Sequence, residues 1–345
     1  MKLLFLTQKR DAPSTRWRIL QFVPHFEKAG IACAVEEWPS GTLARLGLAR
    51  KAAEFDVVVL QKRLLPKLLL HRLRRNARAL VYEFDDGVTL KRDAERVVRE
   101  SPTRERRFRR TVREADAVIT TNDYLARLAE RAGAPPDRVH VFPPVIDLAR
   151  WTPRDGTAPE GGGVTIGWMG TPANLPALEM LQGPLARLCR RHEGLRVKVV
   201  CDEAPRLPGV RVEHKPYSPA DETAEVRSFD VGIAPLVEDP WTRGKLSTKV
   251  LVYMAAGVPV VGSDVAANRL YLREGENGFL AGTLAQWEER LGRLVEEPAL
   301  RREMGARARA SAERDFSLAA AVPRYLELFR RLATAPPASA GASAP

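Results

Sequence analysis

Three cations crowd the start of a short apolar helix in the stretch Trp241 to Asp264, WTRGKLSTKVLVYMAAGVPVVGSD: Arg243, Lys245 and Lys249. No Asp or Glu lies between Trp241 and Ser263. A helix N-terminus already carries about half a positive charge, so cations there need an anion to join them. A phosphate or diphosphate is the simplest such anion. Ser247 or Thr248 would cap the helix and offer a hydroxyl to the same ligand. The plainer alternative pairs the cations with Glu238 and Asp239 just upstream. A second candidate group is EFDDG, Glu83 to Gly87, where Asp85 and Asp86 follow an apolar run. Two adjacent carboxylates could share a proton, hold an acceptor hydroxyl, or simply cap the next segment. Further on, Gly170-Thr171-Pro172-Ala173-Asn174 ends a β-branched run in a turn. His25, His71, His140, His192 and His214 are scattered without ligand spacing, so no metal site is expected.

Positioning these groups takes a particular kind of chain. Strand-like and helix-like segments alternate from residue 1 to about 147. Lys2 to Thr7 reads as a strand, with a loop from Gln8 to Ser14. Thr15 to Ala29 reads as a helix ending at Gly30. Strands follow at Ile31 to Glu36, Phe55 to Leu60, Ala79 to Phe84, Asp116 to Thr120 and Val139 to Phe142. Helices are expected at Leu64 to Arg75, Pro102 to Ala115 and Asn122 to Ala132. Pro, Gly and polar residues from Pro143 to Gly163 then read as a linker. The alternation resumes with strands at Val164 to Met169, Arg196 to Cys201 and Asp230 to Pro235. Helices are expected at Leu178 to Arg191, Lys249 to Ala256, Leu284 to Val295, Pro298 to Arg314 and Leu318 to Leu332. Such alternation predicts α/β architecture, with parallel sheets covered by helices on both faces. Two doubly wound halves facing across a cleft would place ligands at the carboxyl ends of the strands. The loops expected there are Gln8 to Arg16, Asp85 to Gly87, Gly170 to Asn174 and Pro235 to Lys249. Arg10 and one of Arg16 and Arg18, which follow the first loop, would face an acceptor, with helix-surface salt bridging as the alternative.

The net charge of +12 lies almost wholly in the first half. Much of it sits in KLLLHRLRRNAR (Lys67 to Arg78) and RERRFRRTVR (Arg104 to Arg113). These read either as solvated helix faces or as a site for an anionic partner such as a membrane surface. No nucleic-acid module is present, and nucleic acid is not expected as a partner. No apolar run is long enough to span a membrane. The opening MKLLFLTQKRDAP lacks a signal-peptide pattern. Three cysteines without metal or disulfide spacing suit a reducing cytoplasm.

The run DVGIAPLVEDPWTRGKLSTKVLVYMAAGVPVVGSDV (Asp230 to Val265) resembles the signature of family 4 retaining glycosyltransferases. IGWMGTPAN (Ile166 to Asn174), ADAVITTNDYLARLA (Ala115 to Ala129) and GENGFLA (Gly275 to Ala281) are similar to other segments of that family. The resemblance implies a GT-B fold, with two Rossmann-like domains. It implies an acceptor-binding domain at 1–147, a linker at 148–163 and a nucleotide-sugar-binding domain at 164–315. A helix at 316–333 would return to the first domain, and 334–345 would be a disordered tail. It also implies a hexosyl-type transferase that moves a sugar from a nucleotide-sugar donor to a glycan or lipid-linked acceptor with retention. Cell-surface polysaccharide synthesis, at the cytoplasmic or inner-membrane face, is the expected setting. Donor contacts are then expected from Gly170, Thr171, Asn174, Arg243, Lys245, Ser247, Thr248 and Lys249, without an obligatory metal or cofactor. Asp85, Asp86, Glu238 and Asp239 are the carboxylates expected near the reacting sugar, and Arg10 and Arg16 the acceptor contacts. Departures from the family pattern include Gly244 and Val252, where it places glutamates, the carboxylates of EFDDG where many relatives carry a His, and Thr171 to Leu181, which lacks the expected arginine and lysine. The missing glutamates favour a rival reading, a non-catalytic sugar-nucleotide-binding protein of the same fold; a second rival is a sugar-nucleotide epimerase, which shares the architecture.

Overall fold

The structure, a computed structural model, describes residues 1–92, 98–153, 163–239, 242–244 and 247–335. The chain forms two compact units. Unit 1 comprises Met1–Val145, Gly244–Leu246 and Leu318–Pro345; unit 2 comprises Ile146–Arg243 and Ser247–Ser317.

Unit 1 carries strands β1 (Lys2–Thr7), β2 (Ala32–Glu37), β3 (Val57–Gln61) and β4 (Leu80–Glu83), then a small antiparallel pair β5 (Leu90–Arg92) and β6 (Val98–Glu100). Strands β7 (Ala117–Thr120) and β8 (Val139–Val141) complete its main sheet. The order β2-β1-β3-β4-β7-β8 is parallel throughout. Its central strands are β-branched and fully buried, as suits strands covered on both faces. Helices α1 (Pro13–Thr15), α2 (Val23–Lys28), α3 (Thr42–Lys51), α4 (Lys67–Asn76), α5 (Pro102–Glu114) and α6 (Asp123–Arg131) connect them. Leu70, Leu73, Phe108, Val112 and Leu125 cover one face of the sheet. Ile19, Phe22 and Phe26 cover the other.

Unit 2 carries α7 (Leu175–Glu179), α8 (Gln182–Arg191), α9 (Glu222–Arg227), α10 (Thr248–Ala255), α11 (Ala266–Arg269), α12 (Leu284–Glu296) and α13 (Pro298–Asp315). Its strands are β9 (Thr165–Met169), β10 (Arg196–Val200), β11 (Val212–Lys215), β12 (Val231–Ala234), β13 (Val260–Ser263) and β14 (Phe279–Ala281). They lie in the order β11-β10-β9-β12-β13-β14, again all parallel. The last helix, α14 (Leu318–Thr334), belongs to unit 1. Its Leu318, Tyr325, Leu328 and Phe329 pack with Phe5, Phe22 and Phe26.

Several elements differ from expectation for local reasons. The helix expected over Thr15 to Ala29 is interrupted by a π-type turn, Arg16–Leu20, and resumes at Val23. Pro24 lacks the N–H that an unbroken helix would use, and it sits in the first turn of α2, where none is needed. Pro66 likewise delays α4 to Lys67. The single helix expected over Leu178 to Arg191 is two, joined at Met180 and Leu181. Helix α3 was not expected at all. Of the expected linker, Leu148–Arg150 is a 3-10 turn, while 154–162 lie outside the described residues. The expected disordered tail meets a helix that runs to Thr334, and 336–345 lie outside the described residues. Among the described residues, no helix is long and apolar enough to cross a membrane.

Candidate functional site

In an open parallel sheet, ligands bind beyond the carboxyl ends of the strands where the strand order reverses. In unit 2 that point falls between β9 and β12, which are neighbours although β9 is the first strand of the unit. Gly170 follows β9 directly. A Cβ on Gly170 would lie 2.6 Å from the Trp168 ring and 3.3 Å from Lys249 Nζ, so the turn tolerates no side chain. Lys249, in the first turn of α10, holds its ammonium 4.4 Å from the centre of the Trp168 ring. Trp168 is fully buried, so its indole is a floor under the cation. The Tyr253 hydroxyl, one turn along α10, accepts from Met169 N at 2.9 Å and ties the helix to the end of β9. Thr171 and Asn174 share the adjacent turn, with Asn174 Nδ2 donating to Thr171 Oγ1 at 3.1 Å.

Asn268 fixes the opposite side of this edge. Ser247 Oγ donates to Asn268 Oδ1 at 2.6 Å. Asn268 Nδ2 in turn donates to the carbonyls of Ala234 (3.1 Å) and Ser263 (2.9 Å). One fully buried amide therefore joins the ends of β12 and β13 to the start of α10. Ser247 is the N-cap residue of α10, but its hydroxyl accepts no cap hydrogen bond and donates to Asn268 instead. Thr248 is the first residue of the helix, beside Lys249. Asn268→Ala would take the acceptor from the buried Ser247 hydroxyl and one donor from each of the Ala234 and Ser263 carbonyls, at a cost of about 1–3 kcal/mol. Urea titration together with donor affinity checks this, since the start of α10 should loosen along with the fold.

The remaining candidates of unit 2 fall differently. Arg243 Nε is paired with Glu238 Oε1 at 3.0 Å, both side chains being exposed. The plainer pairing alternative therefore holds for these two residues, one expected at the phosphates and the other at the sugar. Asp239 Oδ1 accepts from Thr242 N at 2.6 Å, and Asp239 N donates back to Thr242 Oγ1 at 2.7 Å. That carboxylate shapes a turn. Lys245 lies outside the described residues. Val252 is buried and apolar, and so offers a ribose no hydrogen bond.

In unit 1 the order reverses between β1 and β3, and a buried polar network lies there. Arg18 Nε donates to Glu83 Oε1 at 2.8 Å, and Arg18 Nη1 to the Phe142 carbonyl at 2.9 Å. Gln61 Nε2 donates to Glu83 Oε2, and Thr15 Oγ1 to Gln61 Oε1, each at 3.0 Å. Burial works against the Arg18 charge, but Tyr325, Glu83 and Asp85 outweigh it and keep the guanidinium protonated. Lys62, in the left-handed region at φ 56°, turns its ammonium onto Asp85 (2.8 Å) and Asp86 (3.0 Å). Burial lowers the Lys62 pKa, yet the two carboxylates outweigh it and hold the net value above the ordinary lysine range. The two adjacent carboxylates are thus bridged by one cation. Asp86 Oδ1 also accepts from Gly87 N at 3.1 Å, the capping role weighed from sequence. Arg10 and Arg16 are both exposed, and Arg10 N is held by Glu37 Oε1 at 2.6 Å. The arginine turned inward at this edge is Arg18. Gly244, grouped with unit 1, is closely packed: a Cβ there would lie 3.0 Å from the Leu125 side chain and 3.3 Å from Gly87 N, so its neighbours would have to give by a few tenths of an ångström.

Gln61, Lys62 and Asn268 were not picked out as site residues from sequence, while Arg18 was weighed as an acceptor contact and Glu83 only as the start of EFDDG. For Gln61 and Lys62 a signal was present, since they are polar groups at the end of an otherwise apolar strand. Among the described residues, no group of three or more His, Cys, Asp or Glu gathers as metal ligands would.

Residues 13–150 match the family described as Glycosyltransferase Family 4, and residues 163–297 that described as Glycosyl transferases group 1. A D-inositol 3-phosphate glycosyltransferase of Nocardia farcinica is 29% identical over 242 residues, covering 62% of this chain and 52% of its own. A putative glycosyltransferase of Bacillus subtilis, EpsD, is 34% identical over 106 residues, covering 30% of this chain and 26% of its own. The chain spans about half the length of the curated relatives of the first kind. Among solved structures, Anabaena Alr3699/HepE in complex with UDP and glucose superposes with a TM-score of 0.69 at 17% identity, over 96% of this chain and 100% of that one. Sucrose-phosphate synthase from Thermosynechococcus elongatus gives 0.70 at 13% identity, over 96% and 99%. These two share the fold, that of GT-B glycosyltransferases with two Rossmann-like domains. With family 4 and group 1 descriptions matching its two successive portions, the chain belongs to the family 4 glycosyltransferases.

Proposed function

We propose that this protein transfers a sugar from a nucleotide-sugar donor to a glycan or lipid-linked acceptor, with retention of anomeric configuration. Its setting is cell-surface polysaccharide synthesis on the cytoplasmic side of the membrane. The observation that carries the reading is the Lys249 ammonium held against the Gly170 turn at the reversal point of unit 2. A bare glycine backbone beside a fixed cation suits the close approach of a diphosphate. As the donor's bond to the sugar breaks, negative charge grows on the leaving phosphate, and a preplaced cation lowers the barrier there. Lys249 would supply that charge, with Lys245, Thr171 and the start of α10 around the phosphates. Because side chains and backbone amides meet the charge, the reading calls for no obligatory metal. The carboxyl edge of unit 1, with Asp85, Asp86 and Lys62, would hold acceptor hydroxyls.

One observation favours the non-catalytic alternative: Val252 and Gly244 leave no carboxylate at the two positions where the family carries glutamates. Thermal-shift titration with UDP, GDP, ADP and their sugars decides the donor side, because a ligand at 100 times its Kd stabilises the native state by about 2.7 kcal/mol. UDP-sugars come first, since the Anabaena relative holds UDP and glucose. A specific shift followed by transfer or slow donor hydrolysis establishes the enzyme. A shift without turnover supports the binding module, and no shift with any nucleotide overturns both.

A further inference from the structure

Unit 1 carries a second charged feature that the carboxyl-edge chemistry leaves unused. Helices α4 and α5 hold ten Lys and Arg residues against two Glu. Each buries an apolar stripe, Leu69, Leu70 and Leu73 in α4 and Phe108 and Val112 in α5, and seven of the ten cations are exposed, Arg74, Arg107 and Arg110 being half-buried. The two helices pack together, and Glu114 of α5 feels Arg110 of its own helix with His71, Arg74 and Lys67 of α4. Lys67, Arg72, Arg75 and Arg106 are exposed and form no ion pair among the described residues. Surfaces that need only stay soluble intersperse both signs; this one does not.

Two leucines stand uncovered beside these cations. Leu43, in the first turn of α3, is 85% exposed, and Leu68, in the first turn of α4, is 64% exposed. α3 packs on α4, and each runs back from the carboxyl edge of parallel strands, so both leucines stand at that edge. We propose that the α3–α4–α5 face seats unit 1 on an anionic lipid bilayer, its arginines meeting headgroup phosphates while Leu43 and Leu68 enter the headgroup–acyl boundary. Nucleic acid would also draw the cations, but it gives two bare leucines nothing to bury against. The proposal deepens the acceptor side of the reading above and rests on it in one respect, that a lipid-linked acceptor would be met at this same edge.

Flotation of the full chain with phosphatidylcholine vesicles, with and without phosphatidylglycerol, across a salt series is the test. Binding should require phosphatidylglycerol and weaken as salt rises. It should fall by about tenfold or more in Leu43→Glu/Leu68→Glu, and by a similar factor in Arg72→Glu/Arg106→Glu. All four residues are exposed, so an unchanged melting curve certifies folding. Failure to bind anionic vesicles at low salt overturns the proposal. So does binding indifferent to either pair, and so does equal competition by duplex DNA that ignores the leucines, which assigns the face to nucleic acid. Nucleotide-induced thermal shifts on the same preparation report the donor reading separately, so the failure of one is distinguishable from that of the other.

Discussion

Lys249→Ala should lower turnover about 100- to 1,000-fold, the loss seen when one preorganised charge-stabilising group is removed from an active site. The side chain sits over Trp168 and beside Gly170, so its removal takes away the cation without opening the core. The loss should appear mainly in kcat, because charge on the leaving phosphate peaks in the transition state. Affinity for the free nucleoside diphosphate should fall as well, though less steeply. Steady-state kinetics beside calorimetric UDP binding separates the two. Turnover within about threefold of the parent would remove Lys249 from the chemistry, since 1.4 kcal/mol already amounts to tenfold.

The second large effect concerns stability. Glu83→Ala strands the buried Arg18 guanidinium, which then keeps only the Phe142 and Pro143 carbonyls. Breaking a buried pair by removing one partner costs about 3–5 kcal/mol. For a unit of this size that is a fall in Tm of roughly 6–20 °C. The double replacement Arg18→Met/Glu83→Leu should recover most of the loss, because an apolar pair of similar volume carries no stranded charge. Calorimetry of the parent and both variants checks this. A single variant that melts with the parent would mean that water reaches the pair.

What the sequence could disclose followed the range of the forces involved. The β-branched run Phe55 to Leu60 announced a covered strand, and β3 lies there. Lys249 was legible because it breaks a local rule, a cation at a helix start with no nearby acid. The Arg18–Glu83–Gln61 network was hidden, since Gln61 meets Glu83 only through the register of β3 on β4. No short-range pattern encodes a pairing across that distance. Asn268 was hidden for the same reason, lying well downstream of the Ser247 it binds. Helix α3 escaped notice because TLARLGLARK carries a central Gly47 and sets Leu43 toward solvent, blurring its stripe. Arg243 and Glu238 were both read as substrate contacts, and only the folded loop shows that they meet each other.

Helix α14 belongs to unit 1, yet it follows all of unit 2 along the chain. Tyr325 packs on Phe22 at 4.7 Å between ring centres, and Phe329 on Phe26 at 5.7 Å. On the ribosome, the sheet of unit 1 therefore emerges before unit 2, and the helix that completes its aromatic face emerges after it. Its aromatic face waits uncovered while unit 2 is synthesised and folds. Until α14 arrives, Phe22 and Phe26 lack the Tyr325 and Phe329 rings that pack on them in the folded unit.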